Sequence, residues 1–201
     1  MTVLANNEGN IMIVDQMEKT WELARTRGWD KTYWFFDLHE TILKPTWSKD
    51  DLPCSFYPGA KEALQLMSEM NDICMCMWTC SWPEEIEEYK KFFTSEGINF
   101  DYAQGNPEVV AVEGRHGYYA QKPYQNVLFE DKAGFVPKEW YQVVESLQNR
   151  AQHLSQCEYD GWAEGSIGLD KRANPWKNGC PEYFRWITGF HNSQVSDIHV
   201  I

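Results

Sequence analysis

The sequence predicts a three-layer α/β fold, a Rossmann-like parallel sheet with helices on both faces. Two observations support this prediction. Short apolar runs at residues 32–37, 73–78 and 126–129 have the length and composition of buried strands. Segments with helical periodicity separate these runs, and helices that alternate with strands are typical of a parallel sheet.

The first half of the chain contains the clearest helical signals. Residues 12–28 mix apolar and charged side chains with a helical period and end at a glycine. Residues 44–56 contain two prolines and no clear period, which predicts a loop or flap after the first strand. A second helix is expected over residues 57–70, where apolar side chains share one face.

The second half of the chain gives a weaker pattern. A helix is expected over residues 84–95, where acidic residues come first and lysines later, in agreement with the helix dipole. Residues 98–103 and 108–112 are weaker strand candidates, and a helix is expected over residues 137–154. Residues 156–191 are rich in Gly, Pro, Trp and Asn and show little period, which predicts irregular structure.

A chain of 201 residues suits one domain with an appendage. We expect an N-terminal helical extension over residues 1–30 and an α/β core over residues 31–155. Residues 156–201 are expected to form an irregular, Trp- and Gly-rich extension that either covers the site as a lid or packs against the core.

Composition excludes several classes of protein. Hydrophobic residues make up 43% of the chain and aromatic residues 15%, which is enough for a packed core. The formal net charge of -12 argues against broad attraction to nucleic acid or to anionic membranes. No apolar run approaches the ~20 residues of a membrane span, and the first residues do not resemble a secretion signal. Six cysteines without a CxxC pair suggest reduced thiols, so we expect a cytoplasmic protein.

Polar side chains lie at or near the ends of the expected strands. Asp37 follows the first strand and Thr79 follows the second, while Lys122 precedes the third and Glu130-Asp131 closes it. Because the ends of parallel strands line one edge of a sheet, these residues can converge. Such a set suits phosphoryl transfer: Asp37 could attack phosphorus and the acidic residues could hold Mg²⁺. Thr79 and Lys122 could bind the phosphoryl oxygens.

Four segments, in this order, resemble the motifs of the haloacid dehalogenase (HAD) superfamily of phosphohydrolases. Each segment alone is weakly specific, but the ordered set is more specific, and the similarity covers roughly residues 30–150. The segments are Phe36-Asp37-Leu38-His39-Glu40-Thr41-Ile42-Leu43, Met77-Trp78-Thr79-Cys80-Ser81, Lys122-Pro123 and Leu128-Phe129-Glu130-Asp131-Lys132-Ala133.

The resemblance implies a role for each matching residue. Asp37 would be the nucleophile that forms an aspartyl-phosphate. The phosphate would be bound by Thr79, Cys80 and Lys122. The Mg²⁺ ligands would be Asp37, the backbone carbonyl of His39, and Glu130 or Asp131.

The chain departs from the family pattern at two positions. His39 stands where the family has a second aspartate, which protonates the leaving group and later activates water. A histidine can transfer protons near neutral pH, or this residue could keep only its backbone role. Glu130 stands where the family has an aspartate, so the choice of metal ligand between Glu130 and Asp131 stays open.

The motif spacing leaves no room for a large cap domain, so we expect an open site of the capless type. Open sites suit large substrates, or they borrow a lid from a neighbouring subunit or from the chain's own tail. An oligomer is therefore compatible with the sequence.

Three functions are compatible with these observations. The first is a Mg²⁺-dependent phosphatase acting on a phosphorylated small molecule or another exposed phosphomonoester. The second is a catalytically silent relative that binds a phosphorylated ligand or a protein partner. The third is a nucleic-acid end phosphatase or nucleotidase, which the charge of -12 argues against.

Overall fold

Four short strands form one sheet in this computed structural model, which describes residues 12–46, 51–111, 117–119 and 121–196. All neighbouring strands are parallel, and their order across the sheet is β3-β2-β1-β4. The α/β fold expected from the sequence is confirmed. The strands are β1 (Thr32–Phe36), β2 (Ile73–Met77), β3 (Tyr102–Ala103) and β4 (Val127–Phe129).

Helices flank the sheet, which is consistent with a Rossmann-like three-layer fold. None of the helices in the described segments is long and apolar enough to cross a membrane. Short 3₁₀ turns occur at Asp131–Ala133, Pro137–Glu139 and Lys171–Ala173. The α-helices are α1 (Ile13–Arg27), α2 (Ala60–Ser68), α3 (Pro83–Ser95), α4 (Trp140–Ser166) and α5 (Pro181–Ser196).

Aromatic packing fixes the helices against the sheet. Trp34 of β1 is fully buried and lies 5.6 Å, between ring centroids, from Trp21 of α1. Phe129 of β4 stacks on Trp140, the first residue of α4, with 5.1 Å between their centroids. Aromatic pairs of this kind contribute roughly 0.5–1.5 kcal/mol beyond the area that they bury. The strand from which the candidate site begins is therefore firmly packed.

The register of the sheet brings the residues after β1 and β4 together. Phe36 pairs with Met77 on one side and with Phe129 on the other. The pairing extends one step further, because the Asp37 N–H donates to the carbonyl of Phe129 at 2.9 Å. The chain leaves β1 towards β2 and later returns to β4 on the opposite side of β1. Ligand sites in open α/β sheets lie where the strand order reverses in this way, outside the carboxyl ends of the strands.

The expectation of irregular structure over residues 156–191 is wrong for residues 156–166 and 181–191, which are helical, and correct for residues 167–180, which contain only the short turn Lys171–Ala173. Residues 156–166 continue α4, and α5 follows and packs against it. Gly161 shows the reason, because a Cβ there would lie 2.0 Å from the carbonyl oxygen of Trp186. In the sequence, this glycine suggests the end of a helix. In the structure, it lies within α4 and permits close contact between α4 and α5. Residues 197–201 lie outside the described part of the chain.

A buried ion pair attaches this helical hairpin to the sheet. Arg150 of α4 contacts Asp72 just before β2, with 3.0 Å between Nη2 and Oδ2, and it also contacts Glu182 of α5. Asp72 lies at the amino ends of the strands, whereas Asp37 lies at their carboxyl ends. The described part of the C-terminal extension therefore contacts the amino-end side of the sheet through Arg150.

The weaker strand candidates are only partly correct. Residues 98–103 contribute the two-residue β3, and residues 108–111 form no strand, while residue 112 lies outside the described residues. Side-chain contacts replace a longer ladder here, because the Asp101 carboxylate accepts a hydrogen bond from the backbone N–H of Met75 at 2.7 Å. The expected loop after β1 is present at residues 44–46 and 51–56, and its residues 47–50 are not described. All six cysteines are free thiols, as expected.

Candidate functional site

Three carboxylates meet at the carboxyl ends of β1 and β4. Asp37 follows β1, and Glu130 and Asp131 follow β4. Each side chain offers an oxygen, and these oxygens all lie within 4.8 Å of one another. All three residues are partly buried. This carboxylate cluster therefore brings together three of the residues that the sequence analysis selected.

Thr41 joins the two halves of the carboxylate cluster. Its buried hydroxyl accepts a hydrogen bond from the Asp131 N–H at 3.1 Å, and the same hydroxyl lowers the pKa of the nearby Asp37 carboxylate. The carbonyl of Thr41 accepts a hydrogen bond from Nε1 of Trp140 at 2.9 Å, which anchors this loop to α4. Thr41 was not among the candidate site residues. Its position four residues after Asp37 is the signal that could have identified it.

The carboxylates perturb one another's protonation. Burial raises the pKa of Asp37 above its ordinary value, although hydrogen bonds from Leu38 and Thr41 oppose the shift. Burial and the hydrogen bond with Asp131 raise the pKa of Glu130. Burial would also raise the pKa of Asp131, but its hydrogen bonds with Lys132 and Glu130 outweigh burial and lower it. The site thus concentrates negative charge that a cation would stabilise.

Lys132 is a cation of this site that the sequence analysis did not select. Its ammonium contacts the Asp131 carboxylate and lies 3.4 Å from Oε2 of Glu40. Glu40 has a φ of 59°, which is uncommon for a residue other than glycine and is often found at functional sites. A lysine next to the acidic pair was the available signal, although an exposed lysine beside acids is common on protein surfaces.

His39 is held against α3. Its Nε2 lies 2.9 Å from the hydroxyl of Tyr89, a fully buried residue of α3, and the two rings meet edge to face at 5.7 Å. A cleft of about 650 Å³ opens beside this contact, and Ser81 and Trp82 contribute to its wall. His39 follows Asp37 by two residues in the chain and lines this accessible cleft.

Thr79 and Cys80 follow β2, on the other side of β1 from β4. The side chain of Gln104 brackets Thr79, because its Oε1 accepts from the Thr79 N–H at 3.1 Å and its amide donates to the Thr79 carbonyl. The Thr79 hydroxyl accepts a hydrogen bond from the Ser81 N–H at 3.3 Å, so it helps to shape the turn into α3. Thr79 is buried, whereas Cys80 is exposed and lines the cleft beside His39.

Lys122 is not brought into contact with the carboxylate cluster. Its side chain is exposed and makes no hydrogen bond or ion pair with any residue of the described segments. The convergence expected for Lys122 is therefore not observed. Lys122 lies in an irregular segment before β4. The geometry of the sheet places residues that directly follow a strand, but it does not determine where a side chain in such a segment points.

The oxygen atoms of the carboxylate cluster fit a small divalent cation. Mg²⁺ prefers carboxylate and water oxygens at about 2.0–2.1 Å, so ligands on opposite sides of the ion are ~4.2 Å apart. The oxygens of Asp37, Glu130 and Asp131 lie within 4.8 Å of one another, close to this requirement. Small rotations of these partly buried side chains would close the difference. The chemistry and spacing of this donor set are compatible with Mg²⁺.

No protein-family model matches the chain, and no curated protein matches it. A solved structure of a conserved protein from Bacteroides thetaiotaomicron is similar over 60% of this chain and 93% of its own length. The sequence identity is 17% and the TM-score is 0.44. A similarity of this size does not indicate an activity or a ligand.

Proposed function

We propose that this protein is a Mg²⁺-dependent phosphomonoesterase of the HAD type, with Asp37 as the nucleophile. The observation that carries the proposal is the meeting of Asp37, Glu130 and Asp131 where the strand order reverses. Buried structural acids are normally paired with cations, whereas in the described residues Asp37 and Glu130 have no ion pair and Asp131 alone contacts a lysine. Such an arrangement suits a site that receives its compensating charge from a metal ion.

In the proposed reaction, a carboxylate oxygen of Asp37 attacks phosphorus. A bond forms between this oxygen and phosphorus while the bond from phosphorus to the ester oxygen breaks, and the leaving oxygen takes a proton from His39 or from solvent water. Thr41 holds the Asp37 carboxylate through its hydroxyl and thereby fixes the direction of attack. Water then attacks phosphorus and releases phosphate and the free Asp37.

Asp37 must be ionised in order to attack. Burial raises its pKa, and this works against ionisation in the isolated protein. Bound Mg²⁺ would favour the ionised carboxylates and stabilise charge that develops on the phosphoryl oxygens. Asp37, Glu130 and Asp131 are the side chains that would hold the ion. Thr79 and Cys80, which follow β2, are the residues proposed to bind the phosphoryl oxygens.

The test is hydrolysis of p-nitrophenyl phosphate and of a broad panel of phosphomonoesters, with Mg²⁺ and with EDTA. We expect turnover that depends on Mg²⁺ and falls by about 10³-fold or more in Asp37→Asn, because an amide is a poor nucleophile. Asp170→Asn is a matched control, since Asp170 pairs with Arg172 on the surface. It should keep the wild-type rate. No Mg²⁺-dependent turnover on any member of the panel would contradict the proposal.

A second candidate is a catalytically silent protein that binds a phosphorylated ligand. The contact between His39 and Tyr89 favours it, because this hydrogen bond engages one nitrogen of the imidazole with the protein. The His39→Asp variant separates the two candidates. If His39 contributes only its backbone, turnover should rise in this variant, since a carboxylic acid can then protonate the leaving group. If turnover falls, the imidazole has its own task in catalysis.

A further inference from the structure

The carboxylate cluster and its surroundings have an excess of negative charge. Asp37, Glu130 and Asp131 lie close together, Glu40 lies nearby, and Lys132 contacts two of these four carboxylates, Asp131 and Glu40. A phosphoryl group also carries negative charge, and like charges about 4 Å apart repel by roughly 4 kcal/mol near a protein surface. A phosphoryl group therefore needs a cation at this place in addition to a metal ion.

We propose that Lys132, rather than Lys122, is the cation that binds the phosphoryl group. This inference rests on the proposed function and names the residue that recognises the phosphoryl oxygens at that site. Before a phosphoryl group binds, the Lys132 ammonium serves as the counter-ion of Asp131 and Glu40. When a phosphoryl group binds, the ammonium moves to its oxygens and leaves Asp131 to the metal ion.

The backbone around Lys132 is fixed while its side chain is free to move. Lys132 lies in the 3₁₀ turn Asp131–Ala133, and its N–H donates to Oε1 of Glu130 at 3.2 Å. The next turn is closed by a hydrogen bond from the Phe135 N–H to the carbonyl of Glu130 at 3.1 Å. The side chain of Lys132 is 75% exposed. The base of the side chain is thus held beside the carboxylate cluster, and its tip can change partners.

The backbone conformation of Glu40 is a second observation on the contact between Glu40 and Lys132. Its left-handed backbone conformation costs about 1 kcal/mol or more for a residue with a side chain. The loop keeps this conformation through a hydrogen bond from the Glu40 N–H to the carbonyl of Leu43 at 2.9 Å. Two loops from different strands therefore converge on one ammonium, since Glu40 follows β1 and Asp131 follows β4.

Sharing Asp131 between an ammonium and a metal ion has a measurable consequence. Removing the ammonium frees Asp131 and removes a positive charge that repels the metal ion, so the metal should bind more tightly. The same change removes a charge-assisted hydrogen bond to the phosphoryl group, so phosphate should bind more weakly. A lysine that acts only as a distant, screened charge would change both affinities by a small factor, so a loss of about tenfold or more in phosphate affinity identifies direct contact.

The test compares Lys132→Met with the wild-type protein by calorimetric titration of Mg²⁺, and of inorganic phosphate in the presence of saturating Mg²⁺. We expect the Mg²⁺ dissociation constant to fall several-fold and the phosphate dissociation constant to rise about tenfold or more. Lys132→Arg should recover part of the phosphate affinity, because the guanidinium also binds phosphate. The circular dichroism spectrum checks that each variant is folded.

Two further variants provide the controls. Lys138→Met removes another exposed lysine, from the turn that precedes α4, and should change neither dissociation constant. Lys122→Met tests the assignment from the sequence and should leave phosphate binding unchanged. The inference is overturned if phosphate affinity is unchanged in Lys132→Met, or if it falls in Lys122→Met instead.

These titrations measure binding at equilibrium, so they separate the inference from the proposed function. A wild-type protein that binds Mg²⁺ and phosphate without turnover contradicts the phosphatase, and the Lys132 variants then still decide which lysine binds phosphate. Turnover that persists in Lys132→Met with unchanged phosphate affinity contradicts the inference alone. A wild-type protein that binds neither Mg²⁺ nor phosphate overturns both.

Discussion

The two ends of the parallel sheet differ in how completely their acidic side chains are paired with cations. At the amino ends of the strands, Arg150 is almost fully buried between Asp72 and Glu182, and Arg25 lies 3.7 Å from the same carboxylate of Glu182. Two arginines thus balance two acids. At the carboxyl ends, Asp37, Glu130 and Asp131 lie close together, and in the described residues the cation paired with this group is Lys132, which contacts Asp131 and Glu40.

This difference indicates which charges hold the fold and which are available to a ligand. A buried charge that is paired within the protein contributes to the stability of the fold, because removing its partner leaves an uncompensated buried charge. Carboxylates that lack enough internal cations gain most from an external one. The contrast between the two ends therefore supports the assignment of the carboxylate cluster as the ligand site.

Arg150→Met should produce the largest loss of stability. The change leaves Asp72 and Glu182 buried with less positive charge, so we expect the free energy of unfolding to fall by about 3–5 kcal/mol. Urea unfolding monitored by circular dichroism measures the effect. Arg185→Met is the matched control, because Arg185 pairs with Glu158 on the surface and should cost about 0–1 kcal/mol. If the free energy of unfolding fell equally in the two variants, the prediction that the buried ion pair contributes more than the surface pair would be contradicted.

Asp37→Asn should have the opposite sign and modestly stabilise the metal-free protein at pH 7. The pKa of Asp37 is raised in the folded state, so its ionised form lowers stability as the pH rises above the ordinary value of 3.8. Asparagine removes this effect. The gain should therefore vanish below pH 3.8, where Asp37 is protonated in both states. Urea unfolding at the two pH values tests the prediction, and a destabilised variant at pH 7 would contradict it.

Glu108→Gln should give the smallest change in the free energy of unfolding. It tests a carboxylate near the amino end of β1 that is already paired with a lysine and two tyrosines. Burial opposes ionisation of Glu108, but hydrogen bonds from Lys31, Tyr102 and Tyr33 outweigh it and lower the pKa. Stability from this carboxylate is present above its ordinary pKa of 4.5 and is lost as the pH falls through the lowered value. We expect a loss of ~0.5–1 kcal/mol at pH 7 that disappears in acid. A loss that persists at pH 3 would indicate packing rather than charge.

The strands and the carboxylates of the site were accessible from the sequence because both follow local rules. β1 and β2 are continuous apolar runs, and Asp37 and Glu130 are the polar residues that end buried strands. Parallel topology then brings such residues to one edge without further information. These predictions needed only the order of residues and the geometry of a sheet.

The remaining features depend on contacts between distant segments. Gly161 lies in α4 because α5 packs directly on it, and the sequence of α4 alone does not contain this information. Lys132 became a site residue because Glu40, which is 92 residues earlier, turns towards it. Lys122 was selected by its motif, but its loop does not bring it to the carboxylate cluster. Contacts between distant segments thus determine where helices form and which lysine lies at the carboxylate cluster, and the local sequence pattern does not contain this information.

The length of α4 determines how the chain can be divided. Its 27 residues span about 40 Å, from Trp140, which binds the Thr41 loop, to the hairpin with α5. A polypeptide shortened at residue 155 would end inside this helix and lose Glu182, a counter-ion of Arg150. The C-terminal hairpin is consequently a structural part of the α/β unit, and the shortest polypeptide that keeps the site intact must include α5.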